Sequence, residues 1–277
     1  MAKETSLVLG GTGKTGRRVV DRLRARSLPV RVGSRSSSPS FDGGDPSTWA
    51  EGLRGVDAVY VTYFPDLAAS GAAAAIQAFT ELAMKNGAPR LVLLSGRGEP
   101  EAQECEDIVR NSGAEWTIVR ASWFSQNFSE SYFLDPIVEG EVMLPAGAVG
   151  EPFIDADDIA DVVVAALTDK RHVGQLYEVT GPRLLTFAEA IAEIGRATGR
   201  DIRYVQISND EYVAAMKQFQ VPTEIVELVR YLFGEVLDGR NASVSDGVMR
   251  ALGRAPRDFA DYARATAATG VWNARRG

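Results

Sequence analysis

The segment LVLGGTGKTGRRVV, residues 7–20, holds the residue types best suited to gripping a phosphate. Its centre admits two readings. Gly13-Lys14-Thr15 matches the tail of a loop that wraps ATP or GTP. Gly10, Gly13 and Gly16 match the glycine comb of a dinucleotide-binding turn. A Walker A loop also needs a glycine five residues before the one that precedes its lysine. That position is Val8, inside an apolar run, and RLVLLSG ends in Ser95 where a Walker B aspartate would stand. The dinucleotide reading fits its context, with an apolar run before the glycines and a helical pattern after them. Gly10 permits the tight turn, Gly13 lets the backbone approach a pyrophosphate, and Gly16 lets the helix lie close to the sheet. The positive helix end then faces the phosphates. Thr12 and Thr15 complete the contact set, and Lys14 brings a positive charge to its mouth.

The end of the second apolar run selects the cofactor. An NAD enzyme places Asp or Glu there to bind the ribose hydroxyls. This chain reads VRVGSRSSS at residues 30–38, with no acid. Ser34 and Arg35 stand where a 2′-phosphate would lie, which points to NADP(H). Arg17 and Arg18 are expected on a solvated helix face.

Alternating strands and helices must hold these residues in place. Strand patterns cover Ser6–Leu9, Pro29–Val32, Asp57–Val61, Arg90–Leu94 and Trp116–Val119. Helical patterns cover Lys14–Arg26, Leu67–Asn86 and Glu101–Asn111, the second closed by Gly87. Near-continuous apolar strands separated by helices imply a parallel sheet covered on both faces. A helix is expected from Asp155 to Thr168, then a strand at Leu176–Val179. From Thr186 onward the pattern is mostly helical, with a strand-like piece at Ile202–Val205. The fold class is α/β: a Rossmann-type doubly wound parallel sheet with a smaller, mostly helical C-terminal substrate lobe. The predicted domains are residues 1–122 with 151–180, binding NADP, and residues 123–150 with 181–277, binding substrate.

The 277 residues are 45% hydrophobic, enough for a large core, and carry a formal net charge of −7. That charge repels nucleic acid, and no basic block offers an exception. One cysteine, Cys105, excludes an intramolecular disulfide, and one histidine, His172, excludes His-rich metal sites and His-based triads within the chain. No apolar run approaches membrane-spanning length and no cleavable leader is visible. The expected location is cytoplasmic, the expected partner a small apolar or aromatic substrate, and the expected state a monomer or homodimer.

With these residues in place the chain resembles the NmrA-like branch of the atypical short-chain dehydrogenase/reductases. The landmarks are GGTGKTGRRVV, VGSRS, GVDAVYVT, RLVLLSG, SGAEWTIVRASWFSQNF and PFIDADDIADV. The segment WTIVRASWFSQNF is also similar to that of ergot-alkaloid-type reductases. The resemblance implies that Thr62, Tyr63 and Phe64 pass the cofactor's ribose and pyrophosphate. It implies that Ser95 lies near the nicotinamide, with Ala121, Ser122 and Phe124 beside the ring. A typical member of the wider superfamily carries Tyr-x-x-x-Lys in the helix after strand four. Gly98 and Ala102 stand at those positions here, and no other such pair occurs in the region. Two expectations follow: an acceptor that needs no strong proton donor, with Ser95 as the available hydroxyl, or an NADP(H)-sensing regulator without turnover. A cofactor-assisted isomerase that returns its hydride is a third.

Trp123, Phe124, Phe128, Tyr132 and Phe133 read either as core or as the wall of an apolar pocket, with Trp123 and Phe128 assigned to the substrate. Asp155, Asp157, Asp158 and Asp161 read as helix-capping and first-turn acids rather than metal ligands. Arg97, Glu99 and Glu101 read as a charged loop and helix start near the site mouth. Cys105, within ECED, is expected to be a poor nucleophile, and His172 a solvated loop residue.

Overall fold

The computed structural model of the chain describes residues 4–274; the predicted domain ends at 1–3 and 275–277 lie outside them. The first part runs β1 (Ser6–Leu9), α1 (Lys14–Ala25), β2 (Val30–Gly33), α2 (Trp49–Leu53), β3 (Ala58–Val61), α3 (Ala72–Lys85), β4 (Arg90–Gly96), α4 (Pro100–Asn111) and β5 (Glu115–Ala121). The chain then makes α5 (Leu134–Glu139) and β6 (Glu141–Leu144) before adding α6 (Ala156–Thr168) and β7 (Gln175–Val179). Strands lie in the order β2-β1-β3-β4-β5-β7, all parallel. The sheet grows outward from β1 to β2 and then crosses back to β3. That reversal opens a crevice beyond the carboxyl ends of β1 and β3, where ligands of such sheets bind.

The apolar alternation explains the layers. Leu7 and Leu9 join Phe41, Trp49, Val59, Phe79 and Leu91 in one buried cluster, while Val8 between them is equally buried. On α1, Val19, Val20 and Leu23 are buried, and this helix packs against α6. Arg22 secures that contact, reaching Asp157 at 2.7 Å and Asp161 at 2.5 Å. The helix expected from Leu67 begins only at Ala72. Asp66 Oδ1 accepts from the Ala68 amide at 2.9 Å, a side-chain-to-backbone bond that favours a turn over a helix.

Two compact units result. One holds Met1–Ala121, Ala156–Val179 and Asp246–Arg254; the other holds Ser122–Asp155, Thr180–Ser245 and Ala255–Gly277. This corrects the predicted boundaries in two places. Residues 151–155 belong to the second unit, because Glu151 bridges to Leu185 and the Ile154 amide donates to Trp123 O at 2.9 Å. Residues 246–254 belong to the first. There α10 (Gly247–Leu252) lies so near β7 that a Cβ on Gly247 would sit 2.0 Å from the Glu178 carbonyl oxygen.

The second unit contains α7 (Phe187–Thr198), β8 (Arg203–Gln206), α8 (Asn209–Gln218), α9 (Thr223–Tyr231) and α11 (Phe259–Ala268). Helices α7 and α8 open with capping boxes, Thr186 with Glu189 and Ser208 with Glu211, each satisfying two free amides. β8 pairs in parallel with β6, a strand the sequence pattern did not suggest. The core is aromatic: Phe128, Phe133, Phe153, Phe187, Phe233, Phe259, Tyr262 and Trp272 form one cluster.

Candidate active site

The glycine turn closes tightly. The Gly13 amide donates to Gly10 O at 2.8 Å, and Gly10 takes φ +58°. A Cβ on Gly16 would lie 2.1 Å from Gly10 O and 2.7 Å from its carbonyl carbon, so only glycine lets α1 start this near the strand. Gly13 caps α1 without a side-chain bond, and Gly10, Thr12 and Gly13 are exposed at the carboxyl edge of the sheet. A cradle of backbone amides beside a positive helix end fits a pyrophosphate. Thr15 sits differently: it is buried, and its Oγ1 accepts from Tyr60 OH at 3.0 Å. Its side chain thus ties α1 to β3. Thr62 Oγ1 donates to Leu9 O at 3.3 Å. Lys14 is half-buried at the first position of α1. Arg18, expected in solvent, is half-buried, donates to Lys14 O at 2.8 Å and reaches Asp157 at 3.5 Å.

At the end of β2, Ser34 anchors the loop. Its carbonyl accepts from Ser37 Oγ at 2.7 Å and from the Phe41 amide at 2.9 Å. Arg35 is exposed, and among the described residues its guanidinium has no hydrogen-bond or ion-pair partner. No carboxylate occupies this strand end.

Beyond β3, Tyr63 packs on the sheet core and Phe64 is 85% exposed. β4 and β5 run further than their apolar stretches, with Ser95 opposite Arg120 and Gly96 opposite Ala121. Ser95 therefore lies inside β4 rather than after it. It is buried and donates to Glu106 Oε1 at 2.7 Å. Glu106 is fully buried and is also held by Arg120 at 2.5 Å. The Ser95 proton is committed to that carboxylate, which removes the hydroxyl as a ready acid. Ser122 Oγ, just after β5, is buried without a hydrogen-bond partner. Of the two positions aligned with Tyr-x-x-x-Lys, Gly98 is half-buried with φ +80° and Ala102 is fully buried.

Within the second unit, Phe124 bridges to Ile154. Trp123 is half-buried, with ring centroids 5.3 Å from Phe187 and 5.1 Å from Phe233. Phe128 is 0% exposed and touches the rings of Phe133, Phe153, Phe187 and Phe259. Phe128 is a core residue with no surface for a ligand, a correction to its assignment to the substrate.

The acidic residues near α6 are engaged by arginines. Besides the pairs to Arg22, Arg254 reaches Asp158 at 2.7 Å and Asp161 at 2.5 Å, and Asp155 accepts from Gln126 at 2.8 Å. Cys105 is buried; burial first, then Glu104, Asp66 and Glu106, push its thiol up to about 11, as a poor nucleophile requires. His172 reverses its expectation. It is buried with Nδ1 2.8 Å from Tyr177 OH, and burial, then the charge of Arg171, lower its pKa. Of the charged residues after β4, Glu101 is exposed, whereas Arg97 and Glu99 are buried. Arg97 is held by Glu178 at 2.6 Å, and Glu99 is only 6% exposed. Their burial depends on elements distant in sequence, so no local pattern signals it.

A family model described as NAD(P)H-binding matches residues 10–170, and one described as the NmrA-like family matches residues 101–263. An NAD(P)H azoreductase of Xenophilus azovorans is 34% identical, covering 95% of this chain and 98% of that protein. Agroclavine dehydrogenase of Claviceps fusiformis is 30% identical over 93% of this chain and 96% of its own length. Among solved structures, the NADPH-dependent quinone oxidoreductase of Escherichia coli complexed with NADPH superposes with a TM-score of 0.78 at 18% identity, covering 94% of this chain and 98% of that one. The chain belongs to the NmrA-like family of NAD(P)H-binding oxidoreductases, an atypical branch of the short-chain dehydrogenase/reductases.

Proposed function

We propose that the chain is an NADPH-dependent reductase that passes hydride to a small, largely apolar, electron-poor acceptor: an imine, a quinone, or an activated alkene or carbonyl. The observation that carries the cofactor choice is Arg35, exposed and unpaired among the described residues at the end of β2, where an NAD enzyme would present an acid. The backbone cradle at Gly10–Gly16 would hold the pyrophosphate, and Arg35 with Ser34 the 2′-phosphate. When bound, the nicotinamide supplies the hydride; the protein supplies proximity and orientation.

The acceptor class is supported by what the chain lacks. Without a Tyr-x-x-x-Lys pair, and with the Ser95 proton held by Glu106, an unactivated ketone finds no ordinary acid. Relatives named for azo and quinone reduction fit the same class. The decisive experiment is an NADPH-oxidation screen over quinones, azo dyes and imines, run beside calorimetry with NADP+, NADPH and NADH. Turnover of at least one class, with NADPH bound more tightly than NADH, is expected. Tight binding with unequal affinity for NADP+ and NADPH but no turnover would instead identify a redox sensor. Substrate rearrangement without net NADPH consumption would identify an isomerase.

A further inference from the structure

Beside the amino end of β7 and the last turn of α10 lies a cavity of about 560 Å3, within the size range of small-molecule sites. Its whole lining belongs to the first unit. The strands of that sheet are parallel, and the glycine turn follows the carboxyl end of β1. The cavity therefore lies at the opposite ends of the strands from the nucleotide cradle.

The polar side chains of the lining are Arg171, His172, Gln175, Tyr177 and Arg250, with no carboxylate among them. Each presents a hydrogen. Arg171 Nε donates to His172 Nε2 at 3.4 Å. An arginine only donates, so Nε2 is bare and the ring hydrogen sits on Nδ1. Burial, then the charge of Arg171, favour that neutral ring. Nδ1 donates to Tyr177 OH at 2.8 Å. The Tyr177 hydroxyl hydrogen then has no acceptor among the described residues. Gln175 Oε1 accepts from Arg250 Nη2 at 3.3 Å, which leaves its amide nitrogen as a donor. Neither Nη atom of Arg171 makes a hydrogen bond among the described residues. Asp169, 2.9 Å from Arg171, and Asp246, 4.0 Å from Arg250, stand outside the lining, and exposed pairs of this kind hold their partners weakly. Met249, 48% exposed, and Leu252 add apolar surface.

We propose that this cavity is a second anion site, which takes the phosphate group of a small organic phosphate and rests its organic body on Met249 and Leu252. The side-chain acceptors are already engaged and the donors are not, so the complementary ligand is rich in oxygen lone pairs. A guanidinium fork matches phosphate bidentately, and a dianion suits two arginines better than a single carboxylate does. The site is independent of the reductase reading, since it involves no hydride.

The chain has one histidine and it lines this cavity, so its ring signals report on the site alone. Nuclear magnetic resonance of the untagged, histidine-labelled full chain at constant pH, titrated with phenyl phosphate, should show the His172 signals moving with a Kd below about 1 mM. Inorganic phosphate and benzoate should each bind at least tenfold more weakly. Saturating NADPH should leave the phenyl phosphate Kd unchanged. Arg171→Gln should weaken binding at least tenfold, as loss of a charge-assisted bond requires. Gln175→Glu, which sets a carboxylate among the donors, should abolish the shift. Arg171 is exposed and Gln175 half-buried, and unchanged melting temperatures would show that both variants fold. Signals that stay still at about 10 mM phenyl phosphate overturn the proposal, as does wild-type affinity in both variants. Equal binding of inorganic phosphate removes the organic body, equal binding of benzoate removes the phosphate, and displacement by NADPH makes the cavity part of the nucleotide site; each of these overturns the proposal as stated.

Discussion

One methyl group at residue 16 tests the phosphate cradle. Gly16→Ala would place a Cβ 2.1 Å from a backbone oxygen that has no freedom to move. The turn must open or α1 must slide, at about 1–3 kcal/mol. A fall of at least tenfold in NADPH affinity and a lower melting temperature are expected. Gly43→Ala, with nothing within 4 Å of its Cβ, should change neither. Arg35→Glu tests the adenosine end. A charge-assisted hydrogen bond contributes about 1.5–3 kcal/mol, so the NADPH Kd should rise at least tenfold by calorimetry and the NADH Kd much less. Equal losses for both cofactors would remove the 2′-phosphate assignment. His172 offers a test of pH. Its folded pKa lies below the ordinary 6.5, so the neutral ring is the stable form in the fold. Its contribution is present above about pH 6.5 and is lost as pH falls toward the folded value, because the unfolded chain takes up the proton first. Melting temperature should fall between about pH 7.5 and 5.5, and less steeply in His172→Gln; parallel curves would exclude the histidine. These residues also show what a sequence displays. Gly10, Gly13, Gly16 and Arg35 were legible because a turn and a strand end are local. Glu99 and His172 were not, because their burial is decided by elements far away in the chain.

Among elements, the same division holds. The centres of β1 to β5 and β7 were visible as apolar runs, since a strand covered on both faces can afford few polar residues. Their ends were not. β4 and β5 continue through Ser95-Gly96 and Arg120-Ala121 because each pairs with the other, and pairing leaves no trace in either segment alone. β6 escaped notice for the same reason, its partner β8 lying some sixty residues on. Helix α10 is the sharpest case. Residues 246–254 read as part of the C-terminal lobe, yet Arg250 lies over the Tyr177 ring at 5.3 Å and donates to Leu176 O at 3.3 Å. Gly247→Ala would set a methyl 2.0 Å from Glu178 O and should destabilise the protein by about 1–3 kcal/mol. Urea denaturation followed by intrinsic fluorescence would measure it. An unchanged midpoint would mean that the helix docks without needing a glycine.

For the molecule as a whole, cofactor binding and folding are linked. A ligand bound only by the folded chain and present at a hundred times its Kd adds about 2.7 kcal/mol. NADPH should therefore raise the melting temperature by several degrees, and NADH at the same concentration by less. No shift with either nucleotide would contradict the dinucleotide site itself. The division into two units bears on synthesis. The chain passes between them at Ala121, Ala156, Val179, Asp246 and Arg254, so neither is a continuous stretch of gene that recombination might exchange intact. Helix α10 is synthesised only after Thr180–Ser245 of the other unit, long after the last strand of its own sheet. Until then β7 waits, without that cover, for a nine-residue piece separated from it by the whole of an intervening segment.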